Sequence, residues 1–376
     1  MKQIVSIIPR LPPIVDGIGD YALSLARALR EQGGVETNFV VGDPTWEGPE
    51  SVAGFAVQRL AVRDAGALLE LLPSGQSATL LLHYEGYGYA NRGCPLWLIE
   101  ALQRWRKDDG GRKLLTMFHE LYAQGPMWSS SFWLSPVQRR LATRLARISD
   151  GCLTSLEAYA HRLARMSAGR HAQTPSLPVF SSVGEPDALP LPLAQRRRQM
   201  VVFGTYGRRL EVYKRSALHL QRVCRALQVE EILDIGKPLA PGAIPDLGAP
   251  VSVRGELSSV SVSEALAGAV AGVIDYPAHM LGKSTIFAAY CAYRLIPIVA
   301  AYGDDACMDG LEPNKHYRFV DDNKEELTLS TGQTIANNAY DWYQAHKLSV
   351  HAKAVTSRLI ANSGNVTELR AAHAKS

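Results

Sequence analysis

Cysteine is scarce and scattered in this chain. Cys94, Cys152, Cys224, Cys291 and Cys307 are an odd number, and no two stand at metal-site or redox-motif spacing. That excludes a disulfide scaffold and a zinc ribbon, and fits reduced thiols in a cytoplasm. No charge sign dominates either. The 40 Lys and Arg against 36 Asp and Glu leave +4, too weak a bias to point to nucleic acid. No run reaches the about 18 apolar residues that read as a membrane span. The opening K-Q-I-V-S-I-I-P-R is too short for a signal-peptide core and has no cleavage site after it. Low-complexity tracts and short-period repeats are also missing. What remains is an ordinary globular composition, 47% hydrophobic and 20% charged over 376 residues, enough for two domains or three.

The residues alternate between strand and helix patterns. Gln3 to Ile8 is a continuous apolar run of the kind buried on both faces of a parallel sheet. A Pro- and Gly-rich loop follows, then a helix with Ile18, Tyr21, Leu25 and Leu29 on one face, stopping near Gly33-Gly34. Strands are expected at 35–41, 79–82, 113–118, 152–154 and, closing this half, 176–180. Helices are expected at 95–106, 136–148 and 156–166. Pro186, Pro190, Pro192 and Arg196-Arg197-Arg198 read as a linker. The alternation restarts at 200–203 and runs through strands at 231–235, 251–254, 273–276 and 296–300, with helices between and a helical tail. Right-handed βαβ units of this kind build two tandem doubly wound, Rossmann-like α/β domains facing a cleft. The expected division is 1–185, a linker at 186–199, 200–335, and C-terminal helices at 336–376 that pack back across the domains.

Ligands in such sheets bind in the loops after strands. The first loop is D-G-I-G-D, Asp16 to Asp20, where Gly17 and Gly19 let a phosphate or substrate approach and Asp20 can touch it. The same glycines also suit a plain turn. The loop H-Y-E-G-Y-G-Y from His83 offers an imidazole and Tyr84 to a sugar, or is simply a packed aromatic loop. His119 and Glu120 follow the 113–118 strand, where a His can orient a hydroxyl or act as acid or base. G-T-Y-G-R-R-L-E-V-Y-K-R places Arg209 and Lys214 at a helix start, where cations suggest a bound anion. Gly282-Lys283-Ser284-Thr285 resembles the end of a P-loop. The glycine a full P-loop needs five positions earlier is Pro277, so an NTPase is disfavoured. Ser284 can still cap its helix while Lys283 and the N–H groups near Thr285 hold a diphosphate.

In order and spacing these loops resemble GT-B glycosyltransferases, closest to the retaining family-4 group, over nearly the whole chain. L-P-P-I-V-D-G-I-G-D-Y-A is similar to that family's opening loop, F-H-E at 118–120 to its histidine loop, and R-L-E-V-Y-K to its cationic pair. The resemblance implies a sugar moved from a nucleotide-diphosphate sugar to a hydroxyl of a glycan, lipid-linked or small-molecule acceptor, with retention. Arg209 and Lys214 would neutralise the diphosphate, His119 would orient the sugar, and no metal or separate cofactor would be needed. Asp304-Asp305 reads as a turn, not a metal pair. One departure stands out. Where the family carries two glutamates, alignment on I-P-I-V sets Gly282 and Tyr290. An epimerase on the same fold, or a catalytically degenerate relative that only binds a partner, therefore stays open.

A further feature concerns surfaces. Ser135 to Arg170 holds seven arginines against Asp150 and Glu157. Arg140, Arg144 and Arg147 share a helical face opposite Val137, Leu141, Leu145 and Ile148, with Trp128, Phe132 and Trp133 just before. This suits peripheral contact with an anionic membrane, or an ordinary helix packed by its apolar side.

Overall fold

The computed structural model describes residues 2–14, 16–75, 77–107, 111–125, 128–300, 308–322 and 326–361. They form two compact units, one of residues 1–177 with the stretch from Leu348 onward, the other Pro178–Lys347.

Unit 1 contains β1 (Lys2–Ile8), α1 (Gly17–Gly33), β2 (Val35–Val41), β3 (Ser51–Val52), β4 (Phe55–Arg59), α2 (Ala65–Leu71) and β5 (Thr79–Tyr84). Then come α3 (Gly86–Tyr89), α4 (Leu96–Lys107), β6 (Lys113–Phe118), α5 (Ser130–Ile148), β7 (Gly151–Thr154) and α6 (Glu157–Met166). The strands lie in the order β3-β4-β2-β1-β5-β6-β7, all parallel except the β3–β4 hairpin. The apolar runs are central: β5 and nearly all of β6 are buried on both faces. Helices α4, α5 and α6 cover one face through Leu98, Leu102, Leu145 and Leu163, while α1 packs Ala22 and Ala26 against Ile8 and Phe39 on the other. The expected strand at 176–180 is a single parallel bridge from Ser176 to Thr154.

Unit 2 contains β8 (Gln199–Phe203), α7 (Tyr206–Leu227), β9 (Glu231–Ile235), β10 (Val251–Gly255), α8 (Ser259–Gly268), β11 (Ala271–Ile274), α9 (Thr285–Ala292), β12 (Ile296–Val299), β13 (Arg318–Phe319) and α10 (Leu329–Gln344). Its all-parallel sheet runs β10-β9-β8-β11-β12-β13. The stretch expected as a linker lies on this unit's core. Arg196 is buried there and donates to the carbonyls of Leu191, Ala269 and Tyr293. The last helix, α11 (Leu348–Ala361), belongs to unit 1. The Tyr21 hydroxyl of α1 bonds His351 Nδ1 at 2.7 Å, and Lys2 donates to the Leu359 carbonyl.

Both sheets reverse their strand order at one place, between β1 and β5 in unit 1 and between β8 and β11 in unit 2. At such switch points, adjacent loops leave the sheet in opposite directions and open a crevice at the strand C-termini.

Candidate functional site

In unit 2 the switch point holds a pocket of about 210 Å³, lined among others by Thr205, Arg208, Asp275, Lys283, Ser284 and Thr285. Two helices start there. Helix α7 begins after Thr205, whose side chain caps nothing, so its first N–H groups are not spent on a cap. Helix α9 is capped as expected: Ser284 Oγ accepts from Phe287 N at 3.1 Å. Two helix N-termini and two cations facing one pocket make it suited to a phosphate-bearing ligand.

Arg208 and Arg209 both border this pocket but are placed differently. Arg209 is 1% exposed. Its Nε donates to Gly204 O at 3.0 Å, Nη1 to Asp234 and Nη2 to Lys237 O. Asp234 takes a second hydrogen bond from Tyr213 at 2.6 Å, and burial together with this carboxylate holds the phenol pKa above its usual range. Arg209 is thus a buried ion pair beneath the β8 and β9 termini, held by its own fold at the back of the pocket. Gly236 allows it, since a Cβ there would sit 2.5 Å from Gly204 O and 2.9 Å from Arg209 Nε. Arg208 turns outward instead. It lies over the Tyr276 ring at 5.1 Å, with Nη1 3.4 Å from Asp275 Oδ2. Lys214 is exposed farther along α7 and does not line the pocket.

Asp275 was missed in the sequence. It is buried at the end of β11, and its Oδ1 accepts no hydrogen bond. The expected strand at 273–276 runs through Asp275 and Tyr276, whereas β11 ends at Ile274 and leaves both at the pocket. The two positions that depart from the family pattern are structural. Tyr290 lies beneath the sheet and donates to Val273 O at 3.1 Å, and its ring fills the space above Gly272. Gly282 is buried and accepts from Val179 N.

In unit 1, His119 and His83 do come together. Their rings stack at 5.3 Å, with His83 Nδ1 3.1 Å from His119 Nε2 and the Tyr21 ring edge-on to both. Burial lowers the His83 pKa to about 3, so this ring is neutral at ordinary pH. Strand β5 continues to Tyr84, which corrects the loop reading. His83 and Tyr84 are wholly buried, and Tyr84 packs edge-on against Phe118. Neither can touch a substrate from that position. His119 is nearly buried, while Glu120 is half-buried and tied back through its N–H to Tyr84 O.

The first loop is also explained mostly from within. Asp16 Oδ1 caps α1, accepting from Ile18 N and Gly19 N at 2.9 Å each. A Cβ on Gly19 would stand 2.4 Å from Arg10 O, whereas one on Gly17 meets nothing. The glycine at 19 admits the chain's own backbone. Asp20 is half-buried in the first turn, and burial raises its pKa with help from Asp16.

Among the described residues no helix is long and apolar enough to cross a membrane. Helix α5 starts at Ser130, earlier than expected, and Val137 corrects to the outward side beside Trp133. Asp304-Asp305 and Cys307 lie outside the described residues.

The sequence matches no protein-family model and no curated protein. Solved structures do resemble it. An α,α-trehalose 6-phosphate synthase from Burkholderia multivorans superimposes with a TM-score of 0.62 at 13% identity, over 98% of each chain. WaaG, a glycosyltransferase involved in lipopolysaccharide biosynthesis, gives 0.59 at 11%, over 95% of this chain and 99% of its own. The lipopolysaccharide outer core galactosyltransferase WaaB gives 0.58 at 10%, over 96% and 100%. At these identities the likeness is one of fold. The chain has the fold of the GT-B glycosyltransferases.

Proposed function

We propose that the protein is a glycosyltransferase that takes its sugar from a nucleotide-diphosphate donor seated in the unit 2 pocket. The observation that carries this reading is the convergence of Arg208, Lys283 and the starts of α7 and α9 on the β8/β11 switch point. Charge builds on the diphosphate as the sugar leaves. Preorganised cations and helix N–H groups stabilise that charge more than the ground state, which is what accelerates transfer. Asp275 and Tyr276 hold Arg208 in place, so little reorganisation is needed. With the diphosphate as leaving group, the incoming hydroxyl can attack the same face, and no carboxylate nucleophile is needed at the position that the buried Tyr290 fills. In unit 1, His83 orients the His119 ring for a sugar hydroxyl.

The test is thermal unfolding with UDP-, GDP-, ADP- and TDP-sugars. One donor should raise the midpoint, because it binds the folded state alone, and Arg208→Ala should weaken that effect at least about tenfold. Stabilisation with no turnover on any acceptor would leave a binding protein, and a changed sugar without acceptor would mean an epimerase.

A second reading concerns the acceptor. Trp128 is 87% exposed and Trp133 72%, and they stand with Phe132, Val137 and Arg140 on an outward surface of unit 1. Aromatic rings beside cations suit an anionic lipid surface, hence a lipid-linked acceptor. Flotation with vesicles containing phosphatidylglycerol, lost in Trp133→Ser, is the expected result; equal recovery with neutral vesicles would remove this reading.

A further inference from the structure

A second pocket lies at the opposite edge of unit 1's sheet, where strands begin. It encloses about 200 Å³ between the starts of β5, β6 and β7, the turn after α6, and the end of α11. Three cations line it: Lys113 from β6, Arg170 from the turn and Arg358 from α11. Asp150 is the one acidic residue among the described residues of the lining, and it is already balanced. Its Oδ1 takes Arg106 Nη2 at 2.8 Å and its Oδ2 takes Leu114 N at 2.8 Å, and Arg170 Nη2 makes a longer ion pair with Oδ1 at 3.9 Å.

The remaining polar groups add no negative charge. Burial pushes the Cys152 thiol up to about 12, so the sulfur is protonated. Burial also lowers the pKa of His171, whose Nε2 donates to Ala146 O at 2.8 Å, leaving a neutral ring. Lys2 stands close enough to Lys113 for the two ammonium charges to repel. Burial lowers the pKa of Arg358 as well, since its charge is partly removed from solvent. Arg358 and Arg170 each spend one nitrogen on a backbone carbonyl, of Ala354 and Arg147. A guanidinium keeps further donors beyond that one, arranged as a fork.

Three cations with a surplus of positive charge around a small concave pocket have one simple complement. We propose that this pocket binds a small phosphate-bearing anion, held by Lys113, Arg170 and Arg358. Two forks and an ammonium match the tetrahedral oxygens and double charge of a phosphate better than a single carboxylate does. The cavity takes inorganic phosphate or one phosphorylated sugar. The consequence is structural. The anion bridges α11 to the sheet, so its binding fastens the helix by which the chain end returns to unit 1.

The experiment is thermal unfolding of the full chain in phosphate, and separately in glucose 6-phosphate, each against chloride at matched ionic strength. Wild type is expected to gain at least about 2 °C at saturation. Lys113→Gln and Arg170→Gln, at half-exposed and exposed sites, should weaken the apparent affinity at least about tenfold each without phosphate-free unfolding. Arg208→Ala with Lys283→Ala should keep the full shift. A larger shift with glucose 6-phosphate assigns a sugar phosphate, and equal shifts assign the phosphate group alone. The proposal fails if neither anion exceeds chloride. It also fails if the shift survives Lys113→Gln and Arg170→Gln but is lost in the Arg208 and Lys283 pair, since the anion would then sit in the unit 2 pocket. Neither result bears on whether a nucleotide sugar binds there.

Discussion

Arg208 and Arg209 are neighbours in sequence with opposite fates, and the difference is made by the strand beside them. Asp234 on β9 draws Arg209 inward, while Asp275 and Tyr276 after β11 hold Arg208 at the pocket. Replacing Arg209 by Ala would leave the Asp234 carboxylate buried without its cation. We expect a loss of about 3–5 kcal/mol of stability, read by urea unfolding, where Arg208→Ala should cost less than about 1 kcal/mol because that side chain is half exposed. The sequence could not separate the two, since R-R at a helix start fits either order and only the burial of Asp234 decides. His83 carries a second expectation. Its folded pKa is near 3 against an ordinary value of 6.5, so the unfolded chain binds one more proton between those values. Stability from this group is complete above about pH 6.5 and falls as pH drops toward 3, by about 1.4 kcal/mol per pH unit at most. His83→Gln should flatten the acid limb of a denaturation series by close to one proton, with His171 and His316, also lowered by burial, contributing equally to both proteins. An unchanged slope would mean that this ring is not held neutral.

At the scale of elements, the central strands β1, β5, β6, β8, β11 and β12 are legible because most of their residues are buried, so each reads as an apolar run. The hairpin β3–β4 and helix α2 are not, since two-residue pairing and a seven-residue helix leave no period to count. The sequence pattern ends β5 at Leu82 because His83 and Tyr84 look like loop chemistry. Their burial comes from α1 and β6, which no local pattern shows. Candidate residues suffered in the same way: loops after strands were the right places, but which side chains face outward depends on neighbouring strands. The D-G-I-G-D turn gives a clean measurement of this. A methyl on Gly19 collides with Arg10 O, so Gly19→Ala should destabilise the ligand-free protein by about 1–3 kcal/mol. At Gly17, the first residue of α1, a Cβ meets open space, and Gly17→Ala should be neutral or stabilising by up to about 1 kcal/mol. Equal losses at both positions, in calorimetry without ligand, would contradict the packing described for this turn.

For the whole molecule, the two units carry the same wound design with unequal equipment at their switch points. Unit 2 presents outward cations and two helix starts, whereas unit 1 presents a buried pair of imidazoles beneath a short loop. A diphosphate should therefore be held by unit 2, and its footprint should be local. Hydrogen exchange measured with and without the nucleotide diphosphate of the stabilising donor tests this directly. Amides gain protection when a ligand shields or accepts from them, so slowing is expected at 205–208 at the start of α7 and at 285–286 at the start of α9. Amides of β9, already bonded within the sheet, should change little. The loop 9–16 and the start of α1 should be unaffected by the nucleotide diphosphate alone, because Asp16 already occupies the Ile18 and Gly19 N–H groups. Protection centred on that loop, with none at 205–208, would move the diphosphate to unit 1. It would then take the diphosphate away from Arg208 and Lys283 and overturn the assignment of the unit 2 pocket.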